Sequence, residues 1–235
     1  MEKRLVATRC DEHIEEMTSL THPIIKKFCK EWNADFVTLS GDFSFIMDYE
    51  GWMSYRIFEL NDYFDRYDRV LSLDSDVVLN PQCPNLFELV PRGKIGTIYE
   101  DVGSRRAMRH QSIRAVQSKW GDVGWRDGYT NSGVMVFDKS HQEMLQPVNG
   151  EYWLGWESDD IHLGYQIRKL DYEVFQLPFQ FNHMCMFSET WNGSPNRFLS
   201  YVIHYAGAAT FPGSEGKKVE KIRKDIDVLW QNRIR

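Results

Sequence analysis

The chain has 235 residues, of which 42% are apolar and 26% are charged, a composition that supports a globular protein with a sizeable core. Its formal net charge of −6 argues against a protein that coats nucleic acid, and no apolar run reaches the length of a membrane span. Four scattered cysteines without a Cys-x-x-Cys pair indicate neither a disulfide framework nor a structural zinc site. We therefore expect a soluble, cytoplasmic, single-domain protein that binds no nucleic acid.

Strand-like and helix-like patterns alternate along the first hundred residues. Strands are predicted over residues 4–9, 35–39, 69–79 and 94–99. A helix that Asp11 caps and Pro23 divides is predicted between the first two strands, and a second helix ends near Tyr67. This alternation predicts an α/β fold in which helices flank a mostly parallel sheet.

The second half of the chain combines longer loops with further regular elements. Strands are predicted over residues 129–138, 172–176 and 199–205, and helices over 159–169 and 216–230. The last helix has an apolar stripe and basic residues, which indicates either docking on the domain or peripheral contact with an anionic membrane. The polar stretch before residue 129 is consistent with an anion site or with a solvated helix face, and its cations are Arg105, Arg106, Arg109 and Arg114.

The strongest functional signal is the acidic pair within the predicted strand 69–79. Asp74 and Asp76 have apolar neighbours on both sides, and a carboxylate buried there is costly unless it is paired or binds a cation. Residues i and i+2 of a strand point the same way, so the two carboxylates can converge on one ion. The pattern predicts a Mg²⁺ or Mn²⁺ site, with a solvated turn as the alternative.

The acidic pair by itself leaves two enzyme classes open. Metal-dependent nucleotide-sugar glycosyltransferases and haloacid-dehalogenase-like phosphohydrolases both place Asp-x-Asp after an apolar strand. In the second class, Asp74 would be the nucleophile. A third hypothesis, without catalysis, is a carbohydrate-binding module that uses the aromatic side chains, which make up 14% of the chain.

Ordered motifs elsewhere in the chain resemble those of GT-A glycosyltransferases of family 8. They are LVATRCDEH in the first strand, YDRVLSLDSDVVL around the acidic pair, YTNSGVMVFD, FQFNHM, and the late VIHYAG. The resemblance runs from about Leu5 to Phe211. It implies one GT-A domain over residues 1–235, with a Rossmann-like, mostly parallel sheet. Within it we expect a nucleotide-binding half at about 1–100, an acceptor half at about 101–212 and a basic helix at about 216–231.

The resemblance also implies a set of site residues. Asp74, Asp76 and His204 would hold Mn²⁺ or Mg²⁺. Backbone groups of the first strand would contact the base and ribose, Arg56 the phosphates, and a small polar turn the donor sugar. The donor-binding set is Ala7, Thr8, Arg9, Arg56, Ser75, Asn131, Ser132 and Gly207.

Two departures from the family pattern concern the reacting centre and the phosphates. The family has an Asp-Gln pair before a helix, whereas this chain has Asp159 and Asp160 there, so either is the candidate catalytic carboxylate. The lysine that follows the family's late glycine is missing, and Lys217 or Lys218 could replace it. The implied activity is transfer of a sugar, with retention of configuration, from a UDP-hexose to a hydroxyl of a carbohydrate acceptor.

Overall fold

The structure, a computed structural model, describes residues 2–42, 50–154, 157–187, 191–193, 196–207 and 218–230. The strands are β1 (Arg4–Arg9), β2 (Asp35–Leu39), β3 (Arg69–Leu73), β4 (Val77–Leu79), β5 (Ile95–Thr97), β6 (Val134–Asp138), β7 (Val174–Gln176), β8 (His183–Met184) and β9 (Val202–His204). The α-helices are α1 (Glu15–Glu31), α2 (Leu86–Leu89), α3 (Arg106–Trp120), α4 (Ser158–Lys169) and α5 (Lys218–Trp230). The 3₁₀ helices are Glu50–Tyr63, Gly103–Arg105, Lys139–Leu145, Phe179–Phe181 and Arg197–Leu199.

A six-stranded sheet with the order β2-β1-β3-β6-β5-β7 forms the centre of the fold. β1 runs parallel to β2 and β3, and β5 runs parallel to β7, while β6 is antiparallel to both of its neighbours. Helices flank the sheet, which confirms the predicted α/β class. A smaller sheet, β4-β9-β8, stands beside it.

The predicted strand 69–79 is in fact two strands that belong to different sheets. β3 pairs with β1 and β6, whereas β4 pairs antiparallel with β9. The backbone N–H of Asp74 donates to the carbonyl of Gly133, and the carbonyl of Asp76 accepts from the N–H of Tyr205. The prediction of one strand is wrong because both sheets bury their strands, so the apolar run continues across the turn that joins them.

Helix α1 runs without a break through Pro23, so the predicted division there is wrong. The hydrogen bond that proline cannot donate is offset by burial of the helix face that includes Ile24, Ile25 and Phe28. Asp11 is not the cap either, because the N-cap position is Ile14 and the carboxylate of Asp11 accepts from Arg56.

Helix α5 docks on the body of the protein through its apolar stripe. Trp230 is buried, donates its indole N–H to the carbonyl of Leu79 and meets the ring of Phe28 edge-on. Asp225 on the same helix accepts from Arg197 and from the hydroxyl of Tyr205. None of the described helices has the length and apolarity that a membrane span requires.

Candidate functional site

The carboxyl ends of β1 and β3 meet the end of β9 and the start of α4 at a cleft of about 310 Å³. Ligands of α/β folds generally bind beyond the carboxyl ends of the strands. In this chain several charged side chains line the cleft at that position. The cleft walls include Asp74, Asp76, Asp159, Asp160, His204 and Gly207. A second cavity of about 180 Å³, lined by Asp11, Ile14, Arg56 and Ser75, opens on the other side of the acidic pair.

Asp74, Asp76 and His204 form a three-residue cluster at the border of these two cavities. Nε2 of His204 lies 3.2 Å from Oδ1 of Asp76 and 3.3 Å from Oδ2 of Asp74. Each residue offers one ligand atom, and these atoms all lie within 4.8 Å of one another. Two carboxylates and one imidazole suit a small divalent cation such as Mn²⁺, so the residues fit the ion that the motifs imply.

The charges of the cluster are balanced by cations of the chain itself. Burial alone would raise the pKa of Asp76, but His204 and Lys218 outweigh it and hold that pKa well below its ordinary range. Burial likewise disfavours the imidazolium, yet Asp76 and Asp74 raise the pKa of His204 to about 10. The pKa of Asp74 is lowered because Arg9 and His204 outweigh its burial. The two carboxylates therefore stay charged in the folded protein, with Arg9, Lys218 and protonated His204 as their counter-ions.

Lys218, at the first turn of α5, forms an ion pair with Asp76. Its ammonium is also 3.5 Å from the carbonyl of Gly207. The other replacement lysine that the sequence suggested, Lys217, lies outside the described residues. The C-terminal helix therefore carries a cation to the same carboxylate that a metal would use.

The side chain of Arg9 reaches from the end of β1 into the cleft. Its guanidinium forms an ion pair with Asp74 and lies 3.6 Å from Oδ2 of Asp159. The sequence predicted largely backbone contacts for Arg9, and this side-chain position was not among its predictions. Its neighbours Ala7 and Thr8 are fully buried within β1, where their side chains line neither cavity.

Asp159 and Asp160, in the first turn of α4, both hold Ser132 but face different charges. Asp159 accepts a 2.8 Å hydrogen bond from the Ser132 hydroxyl, and Asp160 accepts a 2.6 Å bond from its backbone N–H. Burial, together with the charges of Asp159 and Glu100, raises the pKa of Asp160 to about 8. Asp159 lies nearer to Arg9 and the cation site.

Arg56 lies in the 3₁₀ helix Glu50–Tyr63 and borders the smaller cavity. It donates to the carbonyl of Cys10 at 2.9 Å and pairs with Asp11 at 3.1 Å. Ser75, between the two acidic residues, donates its hydroxyl to the carbonyl of Arg9. These two predicted donor residues therefore lie together, while Asn131, Ser132 and Gly207 line the larger cleft.

Glu100 and Glu157 are charged residues of the cleft for which the sequence predicted no role. Glu100 and Glu157 form ion pairs with Arg109, which is buried in α3 rather than solvated. Glu157 has a left-handed backbone (φ +61°), and its carboxylate is held by Arg109 and by the hydroxyl of Tyr129 at 2.9 Å. Glu100 follows a buried strand as Asp74 does, which is a usable signal, whereas no local pattern marks Arg109 as its partner.

Comparison with known proteins identifies the family and the fold of the chain. The family model for glycosyl transferase family 8 matches residues 7–210 of the chain, and no curated protein matches it. A glycosyltransferase involved in the glycosylation of the major capsid of PBCV-1 aligns over 94% of this chain and 99% of its own, with a TM-score of 0.61 and 13% identity.

Two further solved structures share the fold. The galactosyltransferase LgtC, in complex with donor and acceptor sugar analogs, aligns over 97% of this chain and 99% of its own, with a TM-score of 0.58 and 14% identity. GlyE of Streptococcus pneumoniae TIGR4, in its apo form, aligns over 96% of this chain and 60% of its own, with a TM-score of 0.56 and 16% identity. At these identities the likeness concerns the fold, which is GT-A.

Proposed function

Since the chain belongs to glycosyl transferase family 8, we propose that it moves a hexose from a UDP-sugar to a hydroxyl of a carbohydrate acceptor, in a metal-dependent reaction that retains configuration. The observation that carries this proposal is the convergence of Asp74, Asp76 and His204 beside Asp159 in one cleft. Because the chain belongs to this family, it is a glycosyltransferase, and the phosphohydrolase and binding-module hypotheses are withdrawn. Trp125 and Tyr129, two aromatics that a binding module could have used, are buried in the core.

Asp74, Asp76 and His204 are the residues that would hold Mn²⁺ or Mg²⁺. When bound, a divalent ion supplies neutralisation of the charge that develops on the diphosphate as the glycosidic bond breaks. Lys218 forms an ion pair with Asp76, one of the residues that would hold this ion. We assign to Lys218 the phosphate contact that the family's missing lysine makes, because an ammonium displaced from Asp76 has the diphosphate as its nearest new counter-ion.

The smaller cavity is the proposed site of the nucleoside. Ile14 offers an apolar side chain there, and Ser75 lies at the border to the cation site. Arg56 stands beside them, and its guanidinium suits a phosphate because it can donate two parallel hydrogen bonds. We therefore propose that the diphosphate lies across the acidic pair and the sugar in the larger cleft, next to Ser132.

Asp159 is the better candidate for the reacting centre. It lies on the side of the cleft that faces Arg9 and Asp74, whereas Asp160 faces Glu100 and Arg109. Burial raises the pKa of both carboxyls, that of Asp160 to about 8, so Asp159 is preferred for its position beside Arg9. Retention then follows in either of two ways. In the first, Asp159 attacks the anomeric carbon and displaces UDP, and the acceptor hydroxyl then displaces Asp159 and gives up its proton. In the second, the acceptor hydroxyl attacks from the face that UDP leaves, and the leaving phosphate takes the hydroxyl proton.

A thermal-shift screen of nucleotide sugars with and without Mn²⁺ tests donor binding, because a ligand of the native state raises its apparent stability. We expect a UDP-hexose to stabilise the protein only when Mn²⁺ is present. An equal response to all nucleotides, or transfer that survives a chelator, would contradict the proposal.

Carboxylate variants test the site, with transfer followed by release of UDP and the product anomer identified by NMR. We expect Asp76→Asn and Asp159→Asn to lose at least about 100-fold in kcat, and Asp160→Asn to lose less. The matched control is Asp227→Asn, an exposed carboxylate on α5 that should leave activity unchanged. Full activity in Asp159→Asn would remove this residue from the reacting centre.

A further inference from the structure

A continuous chain of buried side chains runs from His204, in the cation site, to Arg109 in α3. Nδ1 of His204 lies 2.7 Å from Oδ1 of Asn182, whose amide donates to Oδ1 of Asn131 at 2.7 Å. The amide of Asn131 donates to Glu100 at 3.0 Å, and Arg109 pairs with the other oxygen of Glu100. All five side chains are buried, and Asn182 is fully enclosed.

At the Arg109 end of this series of side chains, the donor and acceptor of each hydrogen bond are fixed. Glu100 pairs with Arg109, so its carboxylate accepts hydrogen bonds, and the Asn131 group that faces it must be the NH₂. On the other side of Asn131, the backbone N–H of Gly133 lies 3.0 Å away and can only donate. The carbonyl oxygen of the Asn131 side chain must therefore face Gly133 and Asn182.

The orientation of the Asn131 amide fixes that of Asn182, which in turn contacts His204. Asn182 must point its NH₂ at the Asn131 oxygen, which leaves its own oxygen, an acceptor, against the ring of His204. Nδ1 of His204 must then carry a hydrogen. The ring presents Nε2, its other nitrogen, to Asp74 and Asp76.

We propose that Asn182 is a positioning residue that keeps His204 in the tautomer and orientation needed to ligate the metal, and that Asn131 is engaged in orienting Asn182. This inference rests on the metal-dependent function proposed above. Histidine ligands in proteins generally donate their second ring N–H to such a partner, and losing it weakens metal binding by about 10–100-fold. Asn131, which the sequence assigned to the donor sugar, here uses both polar atoms of its side chain on protein groups.

The test measures Mn²⁺ affinity directly, by electron paramagnetic resonance of the free ion in titrations of the full chain. Asn182→Leu, similar in size and without an acceptor, should weaken Mn²⁺ binding about 10–100-fold. Asn182→Asp should lose less affinity than Asn182→Leu, because a carboxyl oxygen still accepts a hydrogen bond from Nδ1 of His204. The control is Asn80→Leu, which removes another buried amide, one bonded to the carbonyl of Phe198.

A double-mutant cycle separates positioning from general damage to the fold. In a His204→Ala background, Asn182→Leu should not weaken Mn²⁺ binding further, since its effect acts through His204. Should Asn182→Leu not fold, Asn182→Ala takes its place, and it too must lose affinity.

Wild-type affinity in the Asn182→Leu variant, or an equal loss in Asn80→Leu, would overturn the inference while leaving the proposed function intact. A wild-type chain that does not bind Mn²⁺ would overturn both.

Discussion

Gly133 lies directly against the imidazole of His204, and Gly133→Ala is therefore a sharp perturbation of the cation site. A Cβ at this position would be 2.5 Å from Cε1 and 2.8 Å from Nδ1 of His204. Carbon atoms in contact are ordinarily about 3.5–4.0 Å apart, so the ring must move by about 1 Å. The φ angle of Gly133 is outside the left-handed region, so alanine is opposed by lack of space and not by backbone strain.

A shift of that size is large on the scale of metal coordination. Ligand distances hold to about 0.2 Å, and a misplacement of about 1 Å near the chemistry costs about 100-fold in rate. We expect Gly133→Ala to bind Mn²⁺ at least about tenfold more weakly and to lose about 100-fold in transfer. Crowding of the core should also lower the free energy of unfolding by about 1–3 kcal/mol.

Mn²⁺ titration and urea denaturation of the same preparation measure the two effects separately. The matched control is Gly164→Ala in α4, where the new Cβ would be 2.4 Å from the ring of Trp125. This variant should lose a similar amount of stability and keep its Mn²⁺ affinity. Wild-type Mn²⁺ affinity in Gly133→Ala, or an equal loss of affinity in Gly164→Ala, would contradict this prediction.

Three further predictions concern other parts of the molecule. Lys218→Ala should tighten Mn²⁺ binding in the absence of the sugar donor, because the ammonium no longer competes for Asp76. The same variant should weaken UDP-sugar binding about tenfold. Calorimetry with Mn²⁺ and with the UDP-sugar checks both effects, and the control is Lys224→Ala, an exposed lysine of α5. The pKa of Asp160 is raised from its ordinary 3.8 to about 8, so the native state holds a proton that the unfolded chain releases, and stability falls as pH rises across that window. Asp160→Asn should therefore gain stability relative to the wild type between about pH 5 and pH 8.5 in urea melts with chelator present, and a difference that does not change with pH would contradict the assignment. Trp230→Ala should lower the free energy of unfolding by about 3–5 kcal/mol, whereas Val228→Ala, on the exposed face of α5, should change it by less than about 0.5 kcal/mol.

Local patterns predicted much of the fold. β1 and β2 have the predicted bounds because each is a short apolar run with turn residues beside it. For the Arg-rich stretch that forms α3, the sequence left an anion site and a solvated helix face open, and both missed the burial of Arg109 against Glu100 and Glu157. The division of residues 69–79 between two sheets was also missed, because an apolar pattern records burial and not which sheet provides it.

The candidate site was likewise predicted from the sequence only in part. The convergence of Asp74 and Asp76 was predicted from strand geometry, but the two residues lie in the turn between β3 and β4. His204 could be added only because its surroundings resemble a family motif. The side-chain position of Arg9 and the ion pair of Lys218 with Asp76 have no counterpart in any local pattern. They depend on where β1 and α5 pack.

The sequence by itself determined the α/β class, the acidic pair and the glycosyltransferase family, because these depend on periodicity and on short, ordered motifs. Only the tertiary structure decided which cations pair with Asp74 and Asp76 and which side chains hold His204 in place. Asn182 is 51 residues from Asn131 and 22 from His204, and each contact depends on a different pair of elements. Each of these side chains fixes the orientation of the next only when all of them are buried and lie within hydrogen-bond distance. That arrangement depends on tertiary packing and not on spacing in the sequence.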